Sequence, residues 1–274
     1  MKKKLIITGS TGFLGNLFLT KNLLKNIDII CVGSENKEIN KKYNQITFEK
    51  FSNTYKEEGH EIFVLHLATF YSKSDKDREN INSAFNFSMN ILNFVKDLNL
   101  INFLYTNTMF IFDENESDHY YTKSKKIFSD NLSNTINNDK ISEIFLSDTF
   151  HFNDERKKVT PLIVSSVLQN KKSPVQNKDK YINLVYGEDL VNCLSSEIFN
   201  TKYSISRVTS KVDLKINSIY NFLKFLNETG QINKSLIDSK VSQYELDNNI
   251  PQLNKNFKES NIIEKLSTLI KVED

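Results

Sequence analysis

The sequence predicts an α/β fold, a doubly wound parallel sheet with a smaller mixed C-terminal lobe. Three observations predict it. Through the first half, short apolar runs alternate with helix-length amphipathic segments, the pattern of a parallel sheet covered by helices on both faces. Three of only seven glycines fall inside Gly9–Gly15, where the first strand meets the first helix. Beyond about residue 155 the alternation loosens into helices and short extended pieces.

Lys4–Thr8 (KLIIT) reads as a short buried strand. Asn16–Leu24 reads as a helix with Leu17, Phe18, Leu23 and Leu24 on its apolar side. Asp28–Val32 is a second strand, Gln45–Phe48 a weak third and Ile62–Leu67 a fourth. A long helix follows over Asn82–Leu98, where Ala84, Phe87, Ile91, Leu92 and Val95 recur at helical spacing. Asn102–Thr106 is a fifth strand, Tyr121–Leu132 a helix and Ile141–Leu146 a sixth strand. Val164–Leu168, Glu188–Ile198 and Lys215–Leu226 are read as helices, and Tyr203–Ile205 as extended. Leu246–Phe257 is expected to loop over the surface before a last helix, Ser260–Ile270. These elements place one domain over 1–155 and a second lobe over 156–274, with a segment near 181–200 returning to the first.

Composition narrows the class. The chain of 274 residues is 39% hydrophobic and 26% charged, which is globular rather than disordered. A net charge of +2 argues against a dedicated nucleic-acid surface. Cys31 and Cys193 sit in apolar runs and read as buried free thiols of a reducing compartment. No Cys/His cluster has metal-ligand spacing. The N-terminal apolar run is too short for a signal peptide, and no stretch approaches the ~20 apolar residues of a membrane span. The expectation is a soluble cytoplasmic protein.

In LIITGSTGFLG a strand runs into Gly9, Gly12 and Gly15, and a helix starts inside the motif. Gly9 allows the sharp turn off the strand. Gly12 lets the backbone approach a pyrophosphate, and Gly15 lets the helix pack on the strand. The helix N-terminus offers N–H groups and partial positive charge to the anion. The turn, with Thr11, Phe13 and Leu14 between its glycines, is therefore expected to bind NAD or NADP in a Rossmann-type domain.

The GxxGxxG spacing resembles the extended short-chain dehydrogenase/reductase superfamily, particularly its NAD-dependent epimerase/dehydratase family. Further landmarks follow in the family's order over about residues 4–200. Leu65–Thr69 (LHLAT) is similar to the family's HLAA segment, and Leu104–Phe112 to the strand carrying an active-site Ser/Thr. Tyr121–Lys125 (YTKSK) matches YxxxK, and Tyr181–Leu190 resembles a later V-x-D-V/L-A segment. The resemblance implies a catalytic set of Thr108, Tyr121 and Lys125, with Thr106 the competing hydroxyl. Tyr121 and Lys125 share a helix face, and a nearby ammonium lowers the cost of a phenolate whose ordinary pKa is about 10. Lys125 would also hydrogen-bond the nicotinamide ribose. Leu67, Ala68, Thr69 and Thr106 would line the cofactor, and Phe70, Met109 and His151 the substrate.

Some positions depart from the family. Asp113 replaces a usual glycine, Ala84 an asparagine, and Ser147–Asp154 keeps only Phe152 of a longer substrate motif. At the end of the second strand, where an acid would hold the ribose 2′-OH of NAD, stands Gly33. Ser34 and Lys37 could take a 2′-phosphate there, so NADP(H) is preferred, while Glu35 keeps NAD(H) open.

The resemblance implies a nucleotide-sugar substrate bound between the dinucleotide domain and the C-terminal lobe. It also implies a homodimer through the long helix and the Tyr121 helix, whose outer faces would carry Phe85, Met89 and Phe128. Met109 and Phe110 stand where a 4,6-dehydratase would have an acidic pair. Among small members the chain resembles the CDP-abequose and paratose synthases in Tyr120–Lys125. The expected activity is reduction of a nucleotide-linked 4-keto-6-deoxy sugar for a surface polysaccharide such as O-antigen. The alternatives are a 4-epimerase with retained NAD and a non-catalytic NAD(P)-binding regulator.

Overall fold

The structure is a computed structural model that describes residues 2–55, 59–152 and 154–270. In chain order, the first part holds β1 (Lys3–Thr8), α1 (Phe13–Lys21), β2 (Asp28–Gly33), β3 (Lys37–Asn40), β4 (Tyr43–Thr47), α2 (Phe48–Thr54), β5 (Glu61–His66), α3 (Arg78–Val95), β6 (Leu100–Thr108), α4 (Tyr120–Thr135) and β7 (Ile141–Leu146). There follow β8 (Asp148–Phe150), α5 (Val159–Leu168), β9 (Tyr181–Tyr186), α6 (Gly187–Glu197), β10 (Ser204–Val208), β11 (Val212–Lys215), α7 (Ile216–Thr229), β12 (Ser239–Val241), α8 (Gln243–Leu246) and α9 (Ile262–Ser267).

The chain packs as two compact units. The first comprises Met1–Leu146, Val191–Arg207 and Asn254–Asn256, and the second Ser147–Leu190, Val208–Leu253 and Phe257–Asp274.

The first unit is built on an eight-stranded sheet ordered β10-β7-β6-β5-β1-β2-β4-β3. From β4 to β7 the neighbours run parallel, and β3 turns back as an antiparallel hairpin with β4. This is the expected α/β, doubly wound, Rossmann-like sheet. Its inner strands are apolar almost throughout, as double-sided burial demands. Leu5, Ile6 and Ile7 of β1 and Ile62 and Leu65 of β5 are 0% exposed. One core gathers Ile6, Val64, Phe103 and Tyr105 of the sheet with Ile91 and Leu92 of α3 and Phe128 of α4.

Strand order reverses beside β1: the chain goes from β1 to β2 on one side and returns to β5 on the other. In open α/β sheets the crevice at such a switch, beyond the carboxyl ends of the strands, is where ligands bind.

The second unit holds a four-stranded sheet, β12-β11-β9-β8, with β8 and β9 parallel and the other pairs antiparallel. Its core joins Phe150, Leu184 and Leu214 of the sheet to Ile163 of α5 and Phe222 of α7. Asn183 ties it together at Nδ2, which donates to Ser210 O and Asp213 Oδ1, each at 2.8 Å.

Two expectations need correction. Helix α1 ends at Lys21, because Asn22 adopts the left-handed conformation (φ 46°) and caps it. Leu23 and Leu24 thus lie past the helix, and Leu23 is 41% exposed. Phe128 is not on an outer helix face: it is 2% exposed, and Phe85 and Met89 pack against the same core. Cys31 and Cys193 are buried free thiols, as expected. Among the described residues no helix is long and apolar enough to cross a membrane.

Candidate active site

The glycine turn is held from below. Gly9 has φ +71°, and a Cβ there would fall 2.7 Å from Ala68 N and from the Leu67 carbonyl carbon. A Cβ on Gly15 would lie 2.3 Å from Gly9 O and 2.7 Å from Ser10 Cα. Both contacts are with backbone, so neither glycine can carry a side chain without moving the chain. Gly12 differs. Its φ of −77° suits any residue, and its Cβ would meet only Gly9 O at 3.2 Å. Gly12 and Thr11 are exposed, while Phe13 and Leu14 are half-buried in the first turn of α1. That turn has no side-chain cap at Gly12 and no acidic residue. A helix start of this kind presents N–H groups and positive potential to an anion. The cradle fits a dinucleotide pyrophosphate.

A chain of hydrogen bonds pins the turn to its neighbours. Ser88 Oγ of α3 donates to Ala84 O, so it accepts from His66 Nε2 at 2.9 Å. His66 Nδ1 then accepts the Thr8 hydroxyl at 2.8 Å, and Thr8 Oγ1 accepts the Ala68 amide at 3.2 Å. The geometry requires neutral imidazole with its proton on Nε2. Burial, with the Lys125 charge adding to it, pushes the His66 pKa down to about 3. Leu67 and Ala68 are thus brought against Gly9, with Thr69 and Phe70 exposed just beyond.

At the end of β2, Gly33 is buried, and a Cβ there would run into the Gln45 amide at 2.2 Å. Gln45 accepts from Ser10 Oγ at 2.8 Å and donates to Glu35 O at 3.0 Å. The space of an aspartate is therefore filled by a β4 side chain. Ser34 and Lys37 are exposed.

The second constellation lies where β6 ends against α4. Lys125 is buried, and its Nζ donates to Thr106 O at 2.6 Å and sits 4.4 Å from the centre of the Tyr105 ring. Desolvation pulls its pKa down to about 7, partly opposed by the Glu143 carboxylate. Tyr121, one turn earlier, is 8% exposed and meets Tyr71 edge-on at 5.0 Å. Thr106 Oγ1 donates to His66 O at 3.3 Å, so its hydroxyl is engaged below the site. Thr108 Oγ1 accepts from Phe110 N at 3.3 Å and starts a short 3-10 turn, Met109–Phe112. Met109, expected at the substrate, is 1% exposed.

His151 lies in the second unit, between Phe152 O (2.8 Å) and Glu188 Oε1 (3.3 Å), stacked on Tyr186. Asn153, within the expected substrate motif, lies outside the described residues.

Three residues were missed: Gln45, Asn107 and Glu143. Asn107 Nδ2 donates to Glu143 Oε1 at 2.6 Å, and Ser129 Oγ donates to Glu143 Oε2 at 2.9 Å. The signal was present, since a glutamate interrupts the otherwise apolar end of ISEIFL, where it must be buried.

The small cavity between α3 and α4, lined by Ala68, Thr69, Phe70, Ser124 and Lys125 among others, measures about 20 Å³ and suits a water rather than a sugar. A larger depression of about 610 Å³ lies around Lys2, Lys25 and Asp28, at the opposite ends of β1 and β2 from the glycine turn.

No protein-family model and no curated protein sequence matches the chain. Solved structures do. UDP-N-acetylglucosamine 4-epimerase from Bacillus cereus superimposes with a TM-score of 0.73 at 15% identity, over 97% of this chain and 95% of that one. The chain has the fold of nucleotide-sugar epimerases. The corresponding enzyme from Methanobrevibacter ruminantium M1, in complex with UDP-N-acetylmuramic acid, gives 0.71 at 14% identity over 97% of both chains. WbmH from Bordetella bronchiseptica, in complex with NAD+, gives 0.70 at 14% identity over 97% and 96%.

Proposed function

We propose that this chain is an NAD(P)-dependent enzyme acting at C4 of a nucleotide-linked sugar, as a reductase of a 4-keto-6-deoxy sugar. The observation that carries the reading is Lys125. A buried ammonium, fixed on the Thr106 carbonyl one turn from Tyr121, stands at the strand end that also carries Thr108. Burying such a charge is costly, and titratable groups perturbed in this way cluster at functional sites.

Gly9, Gly12 and Gly15, with the first turn of α1, hold the pyrophosphate. Lys125 holds the nicotinamide ribose. When bound, the nicotinamide supplies a hydride. Thr108 donates a hydrogen bond from its hydroxyl to the sugar carbonyl oxygen, keeping its own proton, and fixes that oxygen against Tyr121. Tyr121 gives its phenolic proton to that oxygen as the carbonyl carbon is reduced, and the Lys125 ammonium offsets the phenolate charge. Loss of NADPH absorbance with CDP- or dTDP-4-keto-6-deoxyglucose tests the reading.

A 4-epimerase uses the same residues, and two of the similar structures are named 4-epimerases. Interconversion of UDP-sugars without added cofactor, and no turnover of any keto-sugar, would establish that reading instead. A regulator would be indifferent to Tyr121→Phe. Gly33, lacking a carboxylate, with Ser34 and Lys37 exposed beside it, favours NADP(H). The similar WbmH holds NAD+. Dissociation constants for NADPH and NADH decide between them, and tighter NADH binding rejects the preference. The reading also takes in a homodimer through α3 and α4, checked by sedimentation equilibrium.

A further inference from the structure

We propose that Glu143 is a positioning residue of this site, a buried carboxylate on β7 that orients Asn107 to hold the Thr108 strand end and faces the Lys125 ammonium. This rests on the roles proposed above for Thr108 and Lys125.

The geometry is a closed relay. Glu143 is 5% exposed and has both oxygens engaged, Oε2 by Ser129 of α4 and Oε1 by Asn107 of β6. Because Asn107 must give its N–H to the carboxylate, its Oδ1 points the other way. There it accepts the Thr108 backbone N–H at 2.8 Å. A neutral glutamine at 143 could turn its own N–H to Asn107, which would flip the Asn107 amide and leave two N–H groups opposed at Thr108. The charge of Glu143 thus fixes which face Asn107 shows to Thr108. The same carboxylate joins the helix that carries Tyr121 and Lys125 to the strand that carries Thr108.

Its second effect is electrostatic. Lys125 is faced by His66 from β5, Tyr105 from β6 and Glu143 from β7. Of these, Glu143 alone brings negative charge near neutrality. Glu143 in turn is faced by Lys125 and Asp130 of α4, by Tyr105, and by Tyr203 beyond α6. Burial raises the Glu143 carboxyl and lowers Lys125, and each opposes the shift of the other. Neutralising Glu143 therefore moves the Lys125 titration to lower pH.

The test uses the full-length protein with two independent readouts. In protein labelled with 13C-lysine, one Cε resonance, absent from Lys125→Met, titrates near pH 7, and in Glu143→Gln its midpoint moves lower. Amide exchange at Thr108 speeds up in Glu143→Gln and in Asn107→Ala. In turnover, Glu143→Gln lowers kcat by about 10–100-fold with KM and cofactor affinity unchanged, and the alkaline limb of kcat moves to lower pH. Asn107→Ala lowers kcat without moving that limb, and Glu143→Asp keeps the limb. An unmoved Lys125 midpoint together with unchanged Thr108 exchange overturns the proposal, as does a kcat per cofactor-titrated site equal to wild type. Should Glu143→Gln not fold, Asn107→Ala carries the Thr108 exchange readout, and exchange equal to wild type in that variant overturns the proposal. Absence of wild-type turnover on nucleotide sugars would reject the proposed function, while the resonance and exchange data still judge Glu143.

Discussion

The three glycines of the turn look alike in the sequence but do different work. Gly15→Ala forces a methyl onto three backbone atoms, and overpacking of this kind costs about 1–3 kcal/mol. We expect a lower melting temperature with or without dinucleotide. Gly12→Ala meets one oxygen at 3.2 Å, which need give by only a few tenths of an ångström, so its melting temperature should fall less than that of Gly15→Ala while NADH affinity falls, as thermal shift with titrated NADH would read. Tyr121→Phe should reduce kcat by about 10²–10⁴-fold and leave dinucleotide binding intact. His66 gives a pH dependence. Its pKa is about 3 when folded against an ordinary 6.5, so the unfolded chain binds the proton first. Stability is fully present above pH 6.5 and falls as pH drops toward 3, by about 1.4 kcal/mol per unit. Urea midpoints at pH 7, 5.5 and 4.5 should converge between wild type and His66→Asn as the pH falls. Gly9, Tyr121 and Lys125 were legible because each belongs to a short motif with its own physical requirement. For Glu143 the burial could be read from ISEIFL, but its partner, like that of Gln45, could not, because those partners lie 36 and 35 positions away.

At the level of elements, the buried strands were read closely, and Ile141–Leu146 was read to the residue. Double-sided burial writes itself as a continuous apolar run. The β3–β4 hairpin went partly unread, since an edge pair of Lys, Glu, Asn and Gln carries no such run. The sheet of the second unit was missed for a related reason. Its β8 and β12 are three residues each, too short for alternation to show. Helix α4 shows how period alone misleads. It has apolar residues at helical spacing, but the spacing does not say whether Phe128 faces its own sheet or a partner. Phe128 stacks on His66 at 5.2 Å and meets Tyr105 at 4.8 Å. Phe128→Ala should cost about 3–5 kcal/mol in chemical denaturation, whatever the oligomeric state.

At the level of the whole molecule, the first unit is not contiguous in sequence. Asn102 of β6, 1% exposed, donates to Glu197 O at 3.0 Å and Ile198 O at 3.1 Å, and β10 completes the sheet beside β7. A fragment covering 1–150 keeps the glycine turn and the Tyr121 helix yet loses both features. We expect it to unfold without a cooperative transition by near-ultraviolet circular dichroism. A sharp, native-like melt from that fragment would show that the returning segment is dispensable.

That interleaving also bears on how such a protein can change. The boundary between the units is crossed after Leu146, Leu190, Arg207, Leu253 and Asn256, so no single stretch of gene encodes either unit. A new lobe cannot be acquired by one recombination event without bringing pieces of the old dinucleotide sheet along. Diversification in this architecture must then proceed through residue-by-residue replacement within an intact pair, and inherited copies would diverge in sequence long before they diverge in outline.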